Sequence, residues 1–336
     1  MSKQDLEDTL KLHWAQSADG ERVGNSYGYS VHNKELHNEV AKLVDFSDSA
    51  DNSVIIASPD LFKQPVEGKT NWLFTMNEAT TLPQYCIDNI RKADFLFTPS
   101  TWCKAILSKY FSPLKIHVVN HGVSSEFEYQ KRKFPTDRPF RFLWVGAPNP
   151  RKGWGEVINI WKQGFSKIGS VELYVKTTGS EKIDKNQNII FDSRKLTRHE
   201  LVKLYQSSHC FLFPTHGEGF GLTLAEAMAT GLPCISPSYS GVTDFFDGDV
   251  GFPLQYIMGK TEQKFVGHYD KVETECAFPV PNDLFKKMAF VLNNYRKALE
   301  LGKKASIRIK KHFTWEKSAA TLVQAICLSE KQGGAL

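Results

Sequence analysis

The chain has 336 residues, a formal net charge of +5 at pH 7, and 41% hydrophobic residues. The length favours two domains with cores of their own, and the composition is ordinary for a soluble globular protein. No apolar run approaches the roughly 20 residues that a membrane-spanning helix needs, and the polar first residues do not resemble a signal peptide.

Short apolar runs alternate with helical patterns through the first part of the chain. Pro83 is well placed to open a helix, and Ser100 is a suitable N-cap for the next one. Strands that alternate with helices indicate a parallel sheet covered on both faces. The pattern predicts strands over residues 10–14, 53–57, 71–75, 94–98 and 116–119, and helices over 30–44, 83–92 and 100–110.

A polar, charged stretch over residues 124–139 predicts a linker, and a second alternating series follows it. The run 284–330 is predicted to be helical, whereas residues 256–281 fit no regular pattern and are expected to be an inserted loop. In the second series we expect strands over 140–146, 171–176, 189–191, 210–213 and 234–236, and helices over 155–164, 198–207 and 222–230.

Residues 214–246 form the most informative stretch of the chain. A glycine-rich turn precedes the helix predicted over 222–230, and Gly231 and Pro233 end that helix. A helix N-terminus offers unpaired N–H groups and a partial positive charge, which suits a phosphate. Glu218 lies in the turn and Glu226 follows eight residues later. Two carboxylates beside an anion-binding loop suit a ligand that carries both phosphate and sugar hydroxyls.

This stretch resembles the Glu-x7-Glu signature of retaining glycosyltransferases of family four, which have the GT-B fold. The resemblance implies that Glu218 lies beside the donor sugar and that Glu226 holds the ribose hydroxyls. It also implies that loop amides meet the donor sugar and its phosphate, namely those of Gly219, Phe220, Gly221 and Leu222.

The same resemblance implies an α/β fold of two Rossmann-like domains facing a cleft. We expect an acceptor domain over residues 1–135 and a sugar-nucleotide domain over residues 136–310. Phe313-Thr314-Trp315-Glu316 resembles the family's motif before its last helix. Residues 311–336 are therefore expected to form a helix that crosses back to the N-terminal domain.

A second turn, residues 146–154, follows a predicted strand and contains Arg-Lys-Gly. In the family the lysine of this turn binds the donor diphosphate, which implies that role for Lys152. A cation there would stabilise the charge that develops on the leaving diphosphate in the transition state. Many members have an arginine where this chain has Ala147, and we expect either Arg151 or Lys176 to compensate.

Other family-like pieces lie in the first half of the chain. Many members carry a histidine near residue 77 that contacts the donor sugar; here Asn77 and Glu78 are the candidates. His121 is a further candidate on the acceptor or sugar side. Tyr27 and Gly28 lie where the family has a glycine-rich loop that approaches the donor phosphate, although the usual Gly-Gly is absent.

The six cysteines are scattered without a CxxC pair, which is typical of reduced core thiols in a cytoplasmic protein. No zinc motif and no Asp-x-Asp motif is present, so we expect neither a metal nor a cofactor besides the nucleotide-diphosphate sugar as co-substrate. The cysteines are Cys86, Cys103, Cys210, Cys234, Cys276 and Cys327.

Charge is divided unevenly along the chain. Residues 1–136 carry 15 Lys and Arg against 17 Asp and Glu, and the remainder carries 27 against 20. The basic half is the one assigned to the anionic donor. A basic surface also suits nucleic acid or an anionic membrane, so at most a peripheral membrane association is expected. The slightly acidic first half, where acceptors usually dock, disfavours nucleic acid.

We therefore predict a metal-independent retaining hexosyl- or pentosyltransferase that acts on the hydroxyl of a glycan, a lipid or a small molecule. Two alternatives stay open. The first is a sugar-nucleotide-binding subunit that does not catalyse, because Ala147 and the missing histidine depart from the family pattern. The second is a GT-B enzyme that acts on modified DNA bases. A Rossmann dehydrogenase fits poorly, because no GxGxxG lies in a first βαβ unit.

Overall fold

The computed structural model describes residues 11–16, 29–178, 187–262 and 273–333. The chain forms two compact units, Met1–Ser124 with Phe313–Leu336, and Ser125–His312. The sequence analysis drew these boundaries at residues 135 and 310, inside the polar stretch and before the last helix. The units part at residue 124, because the polar stretch that follows is held within the second unit.

The strands of the described residues are β1 (Lys11–Gln16), β2 (Asp45–Phe46), β3 (Asn52–Ile56), β4 (Thr70–Phe74), β5 (Phe95–Thr98), β6 (Ile116–Val118), β7 (Phe140–Val145), β8 (Val171–Lys176), β9 (Ile189–Asp192), β10 (Cys210–Leu212), β11 (Cys234–Pro237), β12 (Phe252–Leu254), β13 (Tyr256–Glu262) and β14 (Glu273–Pro279). The α-helices are α1 (Tyr29–Val40), α2 (Gln84–Ile90), α3 (Thr101–Leu107), α4 (Trp154–Gly164), α5 (Arg198–Ser207), α6 (Leu222–Ala229), α7 (Pro281–Asn293), α8 (Tyr295–His312) and α9 (Trp315–Gly333).

The first unit has a parallel sheet in the order β2-β1-β3-β4-β5-β6. Every residue of β3 is buried, as expected for a strand covered on both faces. Ser100 caps α3 as predicted, since its hydroxyl accepts a hydrogen bond from the Cys103 amide at 3.1 Å. The last helix, α9, packs against α1 and adds Leu322 and Val323 to the core of this unit. The predicted return of the C-terminal helix is therefore confirmed.

The second unit has a parallel sheet in the order β12-β11-β10-β7-β8-β9. From β7 the chain first proceeds outward through β8 and β9, and then returns to the other side of β7 with β10. This reversal is a topological switch point, where the loops after two neighbouring strands part and leave a crevice. A ligand site is therefore expected at the carboxyl ends of β7 and β10.

The segment 256–281 is not the inserted loop that the sequence analysis expected. Strands β13 and β14 pair antiparallel, from Tyr256 opposite Pro279 to Glu262 opposite Glu273. The pattern was hard to recognise because the first residues of β13 are all exposed, so this strand has no alternation of buried and exposed positions.

The C-terminal helical run consists of three helices. Asn294 leaves helical geometry with φ −128° and ψ 41°, which separates α7 from α8. A second break lies between His312 and Trp315. The first helix, α1, also ends at Val40 and not at residue 44, because the chain continues in short turns there.

The polar stretch predicted to be a linker contains a half-buried arginine, Arg132. The Arg132 guanidinium donates to the main-chain oxygens of Tyr205 at 3.0 Å, Ser208 at 3.0 Å and Thr230 at 2.6 Å. These oxygens lie at the C-terminal ends of α5 and α6, where helix carbonyls lack an intrahelical donor. Arg132 thus joins the stretch to the second unit, which explains why the boundary precedes it.

All six cysteines are free, and five of them are buried, as expected of core thiols, whereas Cys327 is partly exposed. Among the described residues there is no group of three or more metal-ligating side chains. None of the described helices is both long enough and apolar enough to span a bilayer.

Candidate active site

Two loops meet at the switch point of the second unit. We call residues 146–153, after β7, the lysine loop, and residues 213–221, after β10, the glutamate loop. Gly153 has φ +68°, and a Cβ atom there would lie 2.0 Å from the main-chain oxygen of Pro214. Only glycine permits this backbone conformation and this approach together. The His216 amide donates to the Arg151 oxygen at 2.8 Å and ties the two loops together.

The loops bring Lys152 and Glu218 into a bidentate ion pair. The Lys152 ammonium lies 2.7 Å and 2.8 Å from the two carboxylate oxygens of Glu218. Arg151 approaches the same carboxylate at 3.0 Å, and the Thr215 hydroxyl donates to it at 2.8 Å. The Glu218 side chain is 5% exposed and that of Lys152 is 19% exposed, so the pair borders the surface through its lysine.

The two cations keep Glu218 ionised. Burial alone would raise the pKa of the Glu218 carboxyl, but the charges of Arg151 and Lys152 outweigh burial and lower that pKa to about 2. With one carboxylate against two cations, the cluster has a net charge of one positive unit. A site of this charge in partly desolvated surroundings attracts an anion more strongly than a solvated lysine does.

The main chain of Glu218 is fixed by a segment that the sequence analysis did not assign to the site. The Glu218 amide donates to the Ser240 hydroxyl at 2.8 Å, and the Gly241 amide donates to the Glu218 oxygen at 2.9 Å. Ser240 has φ +64°, a conformation that non-glycine residues rarely adopt. A Cβ atom on Gly241 would lie 2.1 Å from the Gly219 oxygen. In the sequence, the Ser240-Gly241 pair that follows the Glu-x7-Glu signature could have indicated this contact.

Helix α6 begins at the end of the glutamate loop, as predicted. Gly221 is its N-cap residue with φ +94°, and Leu222 is its first helical residue. The first amides of a helix have no intrahelical acceptor, so they suit an anionic ligand. Gly219 and Phe220 complete the loop, and the buried ring of Phe220 packs against Phe245 at 5.0 Å.

Glu226 lies one turn into α6 and is 8% exposed. The Tyr205 hydroxyl lies 3.1 Å from a carboxylate oxygen of Glu226 and can donate to it. Tyr205 belongs to α5, so its contact with Glu226 depends on the packing of two helices and was missed by the sequence analysis. The structure thus holds the second glutamate of the signature in a defined orientation.

His216 is a second residue that the sequence analysis missed. Its Nε2 lies 3.1 Å from a carboxylate oxygen of Glu156 in the first turn of α4, and its ring packs edge-on to Phe278 of β14 at 5.1 Å. The His216 oxygen accepts from the Ala277 amide at 3.0 Å. His216 therefore connects the glutamate loop to α4 and to the β13–β14 hairpin. A lone histidine beside a glycine-rich turn gave no signal for these contacts.

Lys176, the other candidate to replace the arginine missing at Ala147, has different partners. Its ammonium donates to the main-chain oxygens of Thr177 and Asp192, each at 3.1 Å. Burial lowers the pKa of Lys176. Of the two candidates, Arg151 is the one whose side chain contacts Glu218. The predicted donor role of Lys176 stays a prediction.

Three of the candidates lie in the first unit. The Asn77 side chain is buried and donates to the Ala79 oxygen, while Glu78 is half-buried. The His121 ring stacks on Phe74 at a centroid distance of 5.4 Å, in the core of that unit. Their role on the acceptor or sugar side stays a prediction. The last two candidates of the sequence analysis, Tyr27 and Gly28, lie outside the described residues.

Comparison with known proteins supports the family resemblance. A model of family 4 glycosyltransferases in conflict systems matches residues 100–322. A capsular polysaccharide biosynthesis glycosyltransferase of Staphylococcus aureus is 28% identical over 176 residues, which cover 45% of this chain and 45% of that protein. The matched part spans about half the length of the first curated relatives, 50% and 45%.

Two solved structures share the fold across nearly the whole chain. Sucrose-phosphate synthase from Thermosynechococcus elongatus has a TM-score of 0.71 at 15% identity, with 98% of this chain and 100% of that chain covered. An Anabaena protein solved with UDP and glucose has a TM-score of 0.68 at 11% identity, with 95% and 100% covered. At these identities the likeness concerns the fold, which is GT-B, as the sequence analysis predicted.

Proposed function

The chain belongs to the family 4 glycosyltransferases in conflict systems, and we propose that it is a retaining enzyme that moves a sugar from a nucleotide-diphosphate donor to an acceptor hydroxyl. The observation that carries this proposal is the ion pair of Lys152 with Glu218 at the switch point of the second sheet. It lies in the two loops that the parallel sheet directs toward a ligand, beside the N-terminus of α6.

The charges of the cluster suit a diphosphate. Glu218 neutralises one of the two cations and keeps both side chains in place. A diphosphate that approaches the first turn of α6 meets the excess positive charge of Arg151 and Lys152. Glu218 then keeps its ionised carboxylate available beside the donor sugar.

We propose that Lys152 acts mainly in the transition state. As the bond between the anomeric carbon and the phosphate oxygen breaks, negative charge develops on the leaving diphosphate. A preorganised cation stabilises that charge more than it stabilises the bound donor. Arg151 supplies the second positive charge, which supports the idea that it replaces the arginine missing at Ala147.

The acceptor hydroxyl then attacks from the face that the diphosphate leaves. A bond forms between the acceptor oxygen and the anomeric carbon, and the hydroxyl proton passes to the departing phosphate oxygen. This front-face course retains the anomeric configuration and needs no separate base. It also needs no metal, since side chains and helix amides neutralise the diphosphate.

We propose that Glu226 binds the nucleotide end of the donor. Its carboxylate, oriented by the Tyr205 hydroxyl, can accept hydrogen bonds from two ribose hydroxyls. A glycan, a lipid or a small molecule is proposed as acceptor, and the capsular polysaccharide enzyme named above makes a glycan the first class to test. UDP-glucose is the first donor to test, because the Anabaena protein of like fold was solved with UDP and glucose.

A thermal-shift screen of UDP-, GDP-, ADP- and dTDP-sugars on the purified chain tests the donor site. A donor at 100 times its dissociation constant stabilises the protein by about 2.7 kcal/mol. We expect one nucleotide class to raise Tm in the wild type and not in Glu226→Ala. A flat response to all four classes would contradict the proposal.

The same preparation distinguishes an enzyme from a non-catalytic binding subunit. Slow donor hydrolysis, or transfer to an added acceptor, is expected from the purified chain alone. A chain that binds the donor tightly but neither hydrolyses nor transfers it would support the binding subunit instead.

A further inference from the structure

Helix α8 presents a strongly basic face that the proposed donor site does not use. Glu300 is the only acidic residue in the sequence of α8. One further exposed residue on the helix is apolar, Ile307, which is 57% exposed. The exposed cationic side chains are Arg296, Lys297, Lys303, Lys304, Lys310 and Lys311.

These side chains lie on one side of the helix. At about 100° per residue, the six cations, Glu300 and Ile307 occupy an arc of roughly 140°. At 1.5 Å per residue, the face from Arg296 to Lys311 is about 22 Å long. Ile307 lies near the middle of the arc, between Lys303 and Lys311. We call this set of eight residues the basic face.

The opposite side of α8 is built into the second unit. Ala298, Ala305 and Ile309 are buried there, and Ala298 belongs to the main core cluster of that unit. A Cβ atom on Gly302 would lie 2.3 Å from the Gly231 oxygen, so the helix packs closely against the end of α6. The basic face is therefore a fixed surface and not a mobile tail.

Two acidic side chains lie on or beside the basic face. The Arg296–Glu300 pair is long, at 3.9 Å, and both side chains are mostly exposed, so it contributes little. The acidic neighbour Asp247 is already paired with Arg308, at 2.8 Å, on the flank of the helix. Like charges on one helix face repel one another, and an anionic surface against the basic face would offset that repulsion.

We propose that the basic face docks on an anionic lipid surface. Clusters of four to eight lysines or arginines on an amphipathic helix suit acidic headgroups, and a central exposed aliphatic side chain can enter the headgroup region. Five of the six cations are lysines, which act as point charges and lack the planar fork that favours phosphate esters and base edges in nucleic acids. A flat lipid surface also suits the basic face, because α8 packs lengthwise on the second unit and its exposed cations lie on one side.

Sedimentation of the purified full chain with vesicles tests the proposal. We expect binding to vesicles of phosphatidylcholine mixed with phosphatidylglycerol, no binding to phosphatidylcholine alone, and release by high salt. Because one lysine near such a surface contributes roughly a fivefold change in binding, K303E/K304E should bind more than about 20-fold more weakly. Ile307→Ser should weaken vesicle binding by a smaller factor.

The matched control is K162E/K167E, which reverses two exposed lysines elsewhere in the same unit and gives the same net charge. It should bind vesicles within about twofold of the wild type, since screening limits distant charges. Thermal melts of all variants check folding. Equal losses in both double variants would overturn the proposal, because net charge alone would then explain binding.

Binding of a fluorescent DNA duplex tests the competing possibility, which is that the basic face binds nucleic acid. If the chain binds the duplex through Lys303 and Lys304 and ignores anionic vesicles, the lipid proposal is wrong. Neither readout needs a donor or transfer activity. Failure of the docking proposal would therefore leave the proposed transferase function untouched, and the reverse also holds.

Discussion

Lys152 and Glu218 are 66 residues apart in sequence, yet the Lys152 ammonium touches both carboxylate oxygens of Glu218, at 2.7 Å and 2.8 Å. Two neighbouring parallel strands, β7 and β10, bring their loops together at this point. The pair joins the family signature to the Arg-Lys-Gly turn.

Lys152→Ala should reduce turnover more than it reduces donor affinity. The lysine faces the charge that develops on the diphosphate, and removal of one preorganised electrostatic group costs on the order of 100-fold in turnover. Steady-state kinetics with the donor varied would separate the two effects. Lys162→Ala, an exposed lysine of α4, is the control and should leave both constants unchanged. A raised Michaelis constant with normal turnover would remove the transition-state role.

Glu226→Ala should weaken donor binding without unfolding the chain. Hydrogen bonds to charged groups contribute roughly 1.5–3 kcal/mol, so the dissociation constant should rise about tenfold to 100-fold. Tyr205→Phe removes only the hydroxyl that orients Glu226 and should have a smaller effect. Isothermal calorimetry measures both. An unchanged affinity in Glu226→Ala would exclude this residue from the site.

Glu218→Gln should change how stability depends on pH. The folded-state pKa of Glu218, about 2, lies below the ordinary value of 4.5. Its ionised form therefore stabilises the fold fully above about pH 4.5, and this stabilisation is lost as the pH falls toward 2. The wild type should exceed Glu218→Gln by on the order of a few kcal/mol at neutral pH, with a gap that narrows on acidification. A gap independent of pH in denaturant melts would show that the ion pair does not stabilise the fold.

Transfer should survive an excess of EDTA. In the proposed mechanism Arg151, Lys152 and the first amides of α6 neutralise the diphosphate. Initial rates with and without the chelator, after prior dialysis against it, should agree. Complete loss of activity that magnesium or manganese restores would mean that a cation carries out the neutralisation assigned to the side chains.

Local signals were sufficient for most of the fold. The bounds of β8 and α5 agree with the predicted ranges, because apolar periodicity and a Thr197 capping box define them within a few residues. Gly231 follows α6 with φ +73°, as its position after the helix predicted. The glutamate loop was recognisable for the same reason, because its motif is a short continuous stretch of the sequence.

Contacts between distant segments were not predictable in this way. Ser240 fixes the Glu218 amide, His216 pairs with Glu156, and Arg132 caps two helices from inside a stretch that looked like a linker. Each of these side chains is ordinary in its own sequence window. Their partners are set by the order of the strands, which a single sequence does not reveal.

Proton NMR of the product tests the central claim most directly. The wild type is incubated with an α-linked nucleotide sugar and an acceptor, and the coupling of the new anomeric proton is recorded beside a Lys152→Ala sample. The account predicts an α-glycoside that forms in the wild type and far more slowly in the variant. A β-linked product would contradict the retaining mechanism and the placement of Glu218 beside the donor sugar.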